Sequence, residues 1–473
     1  MSQKPSATSR PVPIARTWAQ FVQTHAAAAV SSGVRILSNN DEAFSARLQS
    51  IRHAQKWIAI QTYLWHDDDD GRTLFAELLA AADRGVEVYL LIDDMDVRGN
   101  DFVLALVDQH PRIKIRLFNP FQWRWSGVHA LVEVLWRGSF LNHRMHNKAW
   151  IVDGLFAIVG GRNIGSAYFR QQVQQQPESS GHFVDLDAAM VGQIAVSVEA
   201  AFWQYWRSPR SVPIQRLRRM RRAAKAWLHH PWIQQLRQLP TLRAALQHGG
   251  GECQADWFDP EHYVWENELQ YVADDPQKGS AGKSSQAEVV AALAFHLART
   301  QQRLRIISPY FIPGTAGVDM LAALVARGVQ VQILTNSLAS NDVLLAHAGY
   351  AKFRADLLHA GVELFELKAT PKLRMRLGSS RASLHTKAML FDQAQGFIGS
   401  FNLSARSANI NTESGIFIKN DELSAQLSQL WDYYTTPERA IQVNLQRNGD
   451  KYCRWWRRLG AWFAVHLPLE SQL

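Results

Sequence analysis

Two segments of the chain repeat one pattern of histidine, lysine, aspartate and asparagine. Both segments read H-x-K-x4-D-x6-G-[GS]-x-N with identical internal spacing. The first copy contains His146, Lys148, Asp153, Gly161 and Asn163, and the second contains His385, Lys387, Asp392, Ser400 and Asn402. One copy would arise by chance fairly often, but two copies behind the same pattern of secondary structure indicate a duplicated functional site.

The residue types in this pattern suit the binding and transfer of a phosphate group. Alternate residues of a strand face the same side, so the histidine and lysine of each copy project together. Lysine supplies positive charge, and histidine can attack phosphorus or donate a proton. Asn163 and Asn402 add neutral donors for the non-bridging oxygens. Two half-sites meeting at a pseudo-twofold axis would place one histidine on each side of the phosphorus.

Two other interpretations of the motifs are weaker. Packed core histidines beside solvated lysines could explain a single copy, but they do not explain two copies with matching asparagines. A metal site is disfavoured because lysine is not a usual ligand and no H-x3-H or C-x2-C spacing accompanies either motif.

The elements upstream of each motif repeat as well. Residues 57–94 and 303–336 each read as an apolar strand, a helix with i, i+3, i+4 spacing, an Arg-Gly pair and a second apolar strand. Glycine after the helix is the expected C-cap. The short apolar runs 149–152 and 388–391 fit buried strands. This order predicts buried, largely parallel sheets with right-handed crossovers.

From about residue 35 to 440 the chain resembles the phospholipase D superfamily, whose hallmark is this duplicated motif. Within it the chain is most similar to the bacterial cardiolipin synthases of the C type. The closer match is carried by RMHNKAWIVDGLFAIVGGRNIGSAYF (144–169), DLDAAMVG (185–192), residues 334–367 and SLHTKAMLFDQAQGFIGSFNLSARS (383–407). The resemblance implies two pseudo-twofold-related α/β/α domains, with mixed, largely parallel sheets and one shared active site.

The resemblance also implies a mechanism of phosphatidyl transfer through a covalent phosphohistidine, without a metal or organic cofactor. His146 would be the nucleophile, and His385 the general acid and then the general base. The phosphate-binding residues would be Lys148, Lys387, Asn163, Asn402 and Ser400. Asp153 and Asp392 complete the catalytic motifs and would act in support by holding the fold.

The family further places an acidic residue behind each histidine to fix its tautomer. Glu413 fits this role in the second half, where we expect it beside His385. In the first half the candidates for His146 are Asp185 and Asp187. Asp185 is preferred because it precedes Gly192 by the same interval as Glu413 precedes Asn420. Gly-Gly in place of Gly-Ser predicts that the first half lacks a hydroxyl donor.

The expected organisation has five parts. They are an N-terminal extension (1–34), a first phospholipase D-like half (35–215), a basic Trp-containing connector (216–258), a second half (259–440) and a C-terminal basic aromatic amphipathic segment (441–473).

The charge and aromatic composition of the chain restricts the kinds of partner that we expect it to bind. The chain of 473 residues has 51 Lys+Arg against 42 Asp+Glu, so an anionic partner is expected, either nucleic acid or an anionic membrane. Basic residues cluster at 216–225 and flank an aromatic stripe at 451–470, among 17 tryptophans in all. An aromatic face with cationic flanks is typical of a helix in the membrane interface, so nucleic acid is not expected. Two cysteines exclude a disulfide framework, and no apolar run is long enough to span a membrane.

The family resemblance suggests that phosphatidylethanolamine donates the phosphatidyl group and phosphatidylglycerol accepts it, giving cardiolipin. A second phosphatidylglycerol is the alternative donor. The expected location is monotopic, on the cytoplasmic face of a bacterial inner membrane. A rival function within the superfamily is a phosphodiesterase that hydrolyses phospholipid or nucleic acid.

Three weaker features carry open alternatives. The run Asp67–Asp70 fits a helix N-cap better than a metal site. His347, Tyr350 and Arg354 lie at helical spacing and would either contact a lipid headgroup or serve the structure. Trp123, Trp125 and Trp136 suit either the mouth of an acyl-chain pocket or a packed insertion.

Overall fold

The computed structural model describes most of the chain. The described residues are 17–25, 32–95, 97, 101–122, 133, 136–138, 140–169, 183–217, 230–247, 256–279, 287–341, 343–369 and 383–452.

The strands are numbered in chain order. Strands β1 to β10 are Ser32–Leu37, Trp57–Thr62, Glu87–Asp93, Ile113–Phe118, Ala149–Val152, Phe156–Gly160, Phe183–Val184, Asp187–Gly192, Ser211–Pro213 and Val264–Glu266. Strands β11 to β19 are Leu269–Ala273, Arg303–Ile307, Gln330–Asn336, Glu363–Leu367, Ser383–Leu384, Ala388–Phe391, Gln395–Gly399, Ser414–Lys419 and Ala440–Gln442.

The α-helices are numbered in the same way. Helices α1 to α7 are Trp18–His25, Asn40–Arg52, Asp69–Asp83, Asp101–Val107, Ser166–Phe169, Gln193–Arg207 and Ile214–Leu217. Helices α8 to α13 are Pro231–Gln247, Glu288–Arg299, Gly314–Ala326, Leu344–His359, Ala405–Asn409 and Asp421–Tyr434. Short 3₁₀ helices occupy Pro260–His262 and Gly449–Tyr452.

Two large sheets share one strand order, which confirms the duplication. The first runs β10-β1-β8-β6-β5-β2-β3-β4-β9, and the second runs β11-β18-β17-β16-β12-β13-β14-β19. Strand β2 therefore corresponds to β12, β5 to β16, and β8 to β18. Strand β10 has no counterpart in the second sheet, because it adds an outer edge to the first sheet by pairing with β1. The second sheet thus begins at β11, and residues 259–266, expected in the second half, lie against the first.

The sheets are mixed, as expected, but the prediction that they are largely parallel is wrong. Within the described part of the two large sheets, only β2-β3-β4 and β12-β13-β14 pair in parallel. The other described pairings in the two large sheets are antiparallel. In each strand–helix–strand repeat the two strands are parallel, because the helix returns the chain to the end of the sheet at which the first strand began. Each motif instead forms a hairpin, and the two strands of a hairpin are antiparallel.

The predicted strand–helix–strand units form as expected. Helix α3 lies between β2 and β3, and α10 lies between β12 and β13. Each helix is followed by a glycine with positive φ, Gly85 at 107° and Gly328 at 87°, as a C-cap requires. Strands β5 and β16 are buried throughout, as their apolar sequences predict.

The two sheets pack against each other through small and branched side chains. One buried cluster joins Ala157, Val159 and Ala188 of the first sheet to Ala388 and Ile398 of the second. The outer face of the first sheet is covered by α1, α2, α3 and α8, and Trp18 of α1 stacks on Phe156 with ring centroids 4.2 Å apart. Both motif hairpins are thereby fixed between layers.

None of the helices among the described residues is both long enough and apolar enough to cross a bilayer.

Candidate active site

Each motif histidine is held by backbone hydrogen bonds from the other half. The amide of His146 donates to the carbonyl of Thr412 at 2.9 Å, and the amide of His385 donates to the carbonyl of Val184 at 2.7 Å. Strand β7 pairs in parallel with β15, which ends directly before His385. These contacts join the two halves at the motifs and bring the two histidines to one site.

The carboxylates that orient the histidines are exchanged between the halves. Glu413 accepts from Nδ1 of His146 at 2.9 Å, and Asp185 lies 2.6 Å from Nδ1 of His385. The expectation that each half supplies its own acid is therefore wrong. The exchange follows from the backbone pairing, because Thr412 and Val184 immediately precede these two acids in the sequence.

Asp187, the alternative candidate for His146, serves the first half only. Its carboxylate lies 2.8 Å from Arg47 and 3.3 Å from Arg162, and all three side chains are buried. Neither Asp185 nor Asp187 orients His146.

Glu413 is held by two hydroxyl groups in addition to His146. Ser400 Oγ donates to Oε2 at 2.5 Å, and Ser407 Oγ donates to Oε1 at 2.6 Å. Ser400, expected to bind phosphate, therefore supports the carboxylate. Burial alone would raise the pKa of Glu413, but His146, Lys148 and Ser400 hold that pKa below its usual value.

Asp185 is held differently, and the difference explains Gly161. Its Oδ1 accepts from the amide of Leu186 at 2.8 Å. A Cβ at position 161 would collide with this same oxygen. The short aspartate brings its carboxylate close to the backbone, so glycine stands where the second half has Ser400.

The surroundings of both histidines favour the neutral form of the ring. Burial lowers the pKa of His146, and the charge of Lys148 adds to this effect, while Glu413 opposes it. Burial and the charge of Lys387 lower the pKa of His385 to about 3. Since the carboxylates accept Nδ1–H, the lone pair of each ring lies on Nε2, the nitrogen that a nucleophile or base requires.

The motif lysines lie directly beside the histidines. Lys148 Nζ donates to the carbonyl of His146 at 2.7 Å. Lys387 Nζ donates to the carbonyl of His385 and lies 3.0 Å from its Nδ1. Burial lowers the pKa of Lys148 to about 7, because the interior disfavours its charge.

The motif asparagines are buried, and each has an unsatisfied atom. Asn163 Nδ2 donates to Tyr168 Oη at 2.9 Å, while Oδ1 of Asn163 and Oδ1 of Asn402 have no hydrogen-bond partner. Such atoms are costly unless a ligand pairs with them. A 180° turn of either amide would present NH₂ in place of the oxygen. Both side chains can thus donate to a phosphate oxygen.

The motif aspartates lie at the opposite edge of the sheets from the histidines. Asp153 accepts from the amides of Gln55, Lys56 and Trp57, with distances of 2.8 to 3.0 Å. Asp392 accepts in the same way from the amides of residues 301–303. Both have positive φ, at 55° and 56°. Six residues, four of them in a strand, separate each aspartate from its histidine, which is roughly 20 Å of extended chain, so this placement supports a role in the fold.

Aromatic rings around the histidines were not predicted. Tyr63 packs against His146 with ring centroids 5.2 Å apart. Tyr168, Phe183 and Tyr310 surround His385 at 5.3, 5.1 and 6.5 Å. The aromatic clusters at the ends of β2 and β12 were visible in the sequence, but their contact with the motifs depends on strand order.

The weaker sequence features resolve as structural elements. Asp68 caps α3 by accepting from the amide of Gly71 at 3.0 Å, as predicted. His347 and Arg354 bind Asp450 at 3.0 and 2.7 Å, and Tyr350 donates to Glu366. The structural alternative for this trio is therefore favoured over headgroup contact.

Several predicted segments lie outside the described residues. These are most of the basic connector (218–229 and 248–255), Trp123, Trp125 and the tail from residue 453 onward. In the described part, no group of three or more His, Cys, Asp or Glu side chains could hold a metal ion.

Comparison with known proteins identifies the family. A sequence profile of the PLD-like domain of cardiolipin synthases matches residues 48–178 and 293–434. The chain is 36% identical to cardiolipin synthase C of Escherichia coli, over 93% of this chain and 95% of that protein. It is 26% identical to cardiolipin synthase A of Pseudomonas syringae, over 85% of this chain and 68% of that protein.

A solved structure shows the same fold at low sequence identity. Phosphatidylserine synthase of Haemophilus influenzae superposes with a TM-score of 0.61 at 16% identity, covering 93% of this chain and 95% of that one. The profile covers both motif-bearing halves, and the similarity to cardiolipin synthase C extends over nearly the whole chain. The chain therefore belongs to the cardiolipin synthase family of phospholipase D-like proteins.

Proposed function

We propose that the protein is a phosphatidyltransferase that makes cardiolipin through a covalent phosphohistidine. The observation that carries this proposal is the pair of buried histidines, each held at Nδ1 by a carboxylate of the other half and each beside a lysine. This arrangement offers one nitrogen to attack phosphorus and a second to manage the proton.

In the first step, Nε2 of His146 attacks the phosphorus of the donor phospholipid. The bond from phosphorus to the headgroup oxygen breaks, and His385 donates a proton to the departing alcohol. In the second step, the terminal hydroxyl of phosphatidylglycerol gives its proton to His385 and attacks the phosphohistidine. The bond between phosphorus and His146 then breaks, and His146 returns to its neutral form.

The first step requires a proton on His385, although burial and the charge of Lys387 lower the pKa of this histidine. An anionic phosphodiester between the histidines would stabilise a cation there and so raise the pKa of His385. Substrate binding would thus favour the protonated form of His385, which is the form that acts as the general acid. Lys148, Lys387, Asn163 and Asn402 would hold the non-bridging oxygens.

Burial of the site favours transfer over hydrolysis. His146 and His385 are 8% and 5% exposed. A lipid alcohol delivered from a membrane would compete with water most effectively where little water enters.

The finer assignments follow from the family resemblance. Phosphatidylethanolamine would be the donor, with a second phosphatidylglycerol as the alternative. The protein would act at the cytoplasmic face of a bacterial inner membrane, in contact with anionic lipid. We expect no nucleic acid substrate.

The test is incubation of the purified protein with isotope-labelled phosphatidylglycerol, with and without phosphatidylethanolamine, followed by mass spectrometry of the lipids and released alcohols. We expect cardiolipin with release of ethanolamine. Equal cardiolipin formation without phosphatidylethanolamine would overturn the donor assignment. If phosphatidic acid were the dominant product, the proposed transfer would be wrong and the reaction would be hydrolysis.

A further inference from the structure

We propose that the first half rests on the bilayer through one surface at the mouth of the site. This lipid-facing surface consists of Met95, Phe102, Trp136 and Phe140. The proposal rests on the proposed function, because it assigns the route by which a membrane lipid reaches the histidines.

The four side chains are exposed although they are large and apolar. Their exposed fractions are 55% for Met95, 40% for Phe102, 75% for Trp136 and 37% for Phe140. Single exposed apolar residues are ordinary on soluble proteins, whereas several on neighbouring connections mark a surface that another apolar phase covers.

All four residues belong to connections at one edge of the first sheet, the side at which β3 and β4 end. Met95 and Phe102 follow β3, and Trp136 and Phe140 lie between β4 and β5. Asn119, directly after β4, donates to the carbonyl of Phe140 at 2.8 Å. Since β3 and β4 are parallel, the chain leaves both strands at the same edge.

This edge is continuous with the catalytic site. Asp93, the last residue of β3, accepts from the amide of Met95 at 2.9 Å and from the amide of Met145 at 2.8 Å. Met145 immediately precedes His146. One buried carboxylate therefore connects the lipid-facing surface to the motif histidine.

An apolar cleft opens at the same edge. It is lined in part by Trp65, Phe75, Leu104 and Trp232. Trp65 pairs with Ile164, the residue after Asn163. The cleft therefore lies beside the segment that carries the phosphate-binding Asn163.

The composition of the surface favours a bilayer over a protein partner. It combines tryptophan, phenylalanine and methionine with the partly exposed Arg137, whose guanidinium lies over the ring of Phe140 at 4.9 Å. Aromatic and basic side chains together are typical of the membrane interface. The net charge of +9 adds attraction to anionic lipid.

The first experiment places an environment-sensitive dye at the surface. In a Cys253→Ser/Cys453→Ser background, Trp136→Cys is labelled with the fluorophore NBD and mixed with vesicles of phosphatidylglycerol and phosphatidylethanolamine. The control is Phe295→Cys, which is also exposed, at 51%, but lies near the end of α9, which leads into the opposite edge of the second sheet. We expect a blue shift and quenching by spin-labelled lipid at position 136 only.

The second experiment removes the surface without touching the motifs. Met95→Ser/Phe102→Ser/Trp136→Ser should lower vesicle affinity by about tenfold or more, because apolar burial in the interface is lost. Transfer on vesicles should fall with affinity, while transfer between short-chain monomeric lipids should stay unchanged. Phe295→Ser/Tyr433→Ser, which removes two exposed rings elsewhere, should change neither.

The outcomes separate this proposal from the proposed function. If position 136 inserts into the vesicles but the protein makes no cardiolipin, the proposed lipid-facing surface would be supported and the proposed function refuted. Equal signals at positions 136 and 295, binding without a signal at 136, or no binding to vesicles would overturn the surface. An unchanged vesicle affinity in the triple variant would also overturn it.

Discussion

The two halves present the same histidine and lysine in the same backbone setting, but they support the histidines differently. His146 is held by a glutamate with two hydroxyl partners, Ser400 and Ser407. His385 is held by a shorter aspartate that packs against Gly161. The longer acid has a hydroxyl beside it, and the shorter acid has a glycine. Duplication thus kept the reacting groups and let each acid and its neighbour change as a pair.

The charges around the histidines differ as well. Lys387 lies 3.0 Å from Nδ1 of His385, where burial and this charge lower the pKa of His385 to about 3. Lys148 bonds only to the backbone carbonyl of His146 among its described hydrogen bonds. Two histidines in unequal surroundings suit unequal roles, one as nucleophile and one as proton carrier.

The largest expected effect tests those unequal roles. His146→Ala and His385→Ala should each reduce transfer by about 10³-fold or more. With a donor whose leaving group needs no proton, His385→Ala should still accumulate a phosphatidyl adduct on His146, measured by intact-protein mass spectrometry. An adduct on His385 in the His146→Ala protein would reverse the roles, and full activity in both variants would refute the mechanism.

The exchanged acids give the next comparison. Glu413→Gln should slow adduct formation on His146, and Asp185→Asn should slow the step served by His385, each by about 10² to 10⁴-fold, because the amide no longer fixes the tautomer. Rapid-quench measurement of adduct formation and turnover distinguishes them. Glu268→Gln, at an exposed carboxylate, is the control. If Glu413→Gln affected only the step of His385, the exchange would be wrong.

The Gly161 and Ser400 positions should respond unequally. Gly161→Ala places a Cβ against Asp185 and should displace it, with a loss of about 10 to 100-fold in the step of His385. Ser400→Ala removes one hydrogen bond to Glu413 and should cost about 3 to 30-fold in the step of His146. Single-turnover rates measure both. Normal activity in Gly161→Ala would show that Asp185 can move away from the added Cβ and still orient His385.

The lowered pKa of Lys148 predicts a pH dependence. The lysine is cationic below its pKa of about 7 and neutral above it, so phosphate affinity should decline as pH rises through neutrality. We expect kcat/KM, which reports the free enzyme, to fall severalfold between about pH 6.5 and pH 8.5. Lys148→Arg, which stays charged, should flatten this limb. A flat profile in the unsubstituted protein would contradict the assignment.

The smallest effect on activity is expected at the motif aspartates. Asp153→Asn and Asp392→Asn keep a residue that tolerates positive φ, but they weaken the hydrogen bonds from three backbone amides. Each should lower the free energy of unfolding by about 1 to 3 kcal/mol, while activity per folded molecule changes less than about twofold. Denaturant unfolding followed by assay checks this. A large loss of activity in a fully stable variant would assign them to catalysis.

Much of the fold was predictable because its signals are local. Arg-Gly pairs after the helices, apolar four-residue strands and the tetra-aspartate cap each depend on neighbouring residues, and all were confirmed. The parallel character of the sheets was overestimated because the hairpins of the motifs are antiparallel. Hairpin pairing depends on which strand lies beside each motif, and that is a property of the whole sheet.

The sequence by itself determined the reacting groups, since two copies of one spacing identify the histidines, lysines and asparagines without any knowledge of their contacts. Only the tertiary structure decided which acid serves which histidine. Val184 and Thr412 pair across the interface, and Asp185 and Glu413 follow them to the opposite histidine. The spacing of residues along the chain shows which side chains each half contains. Which acid of one half contacts which histidine of the other half depends on how the two sheets pack.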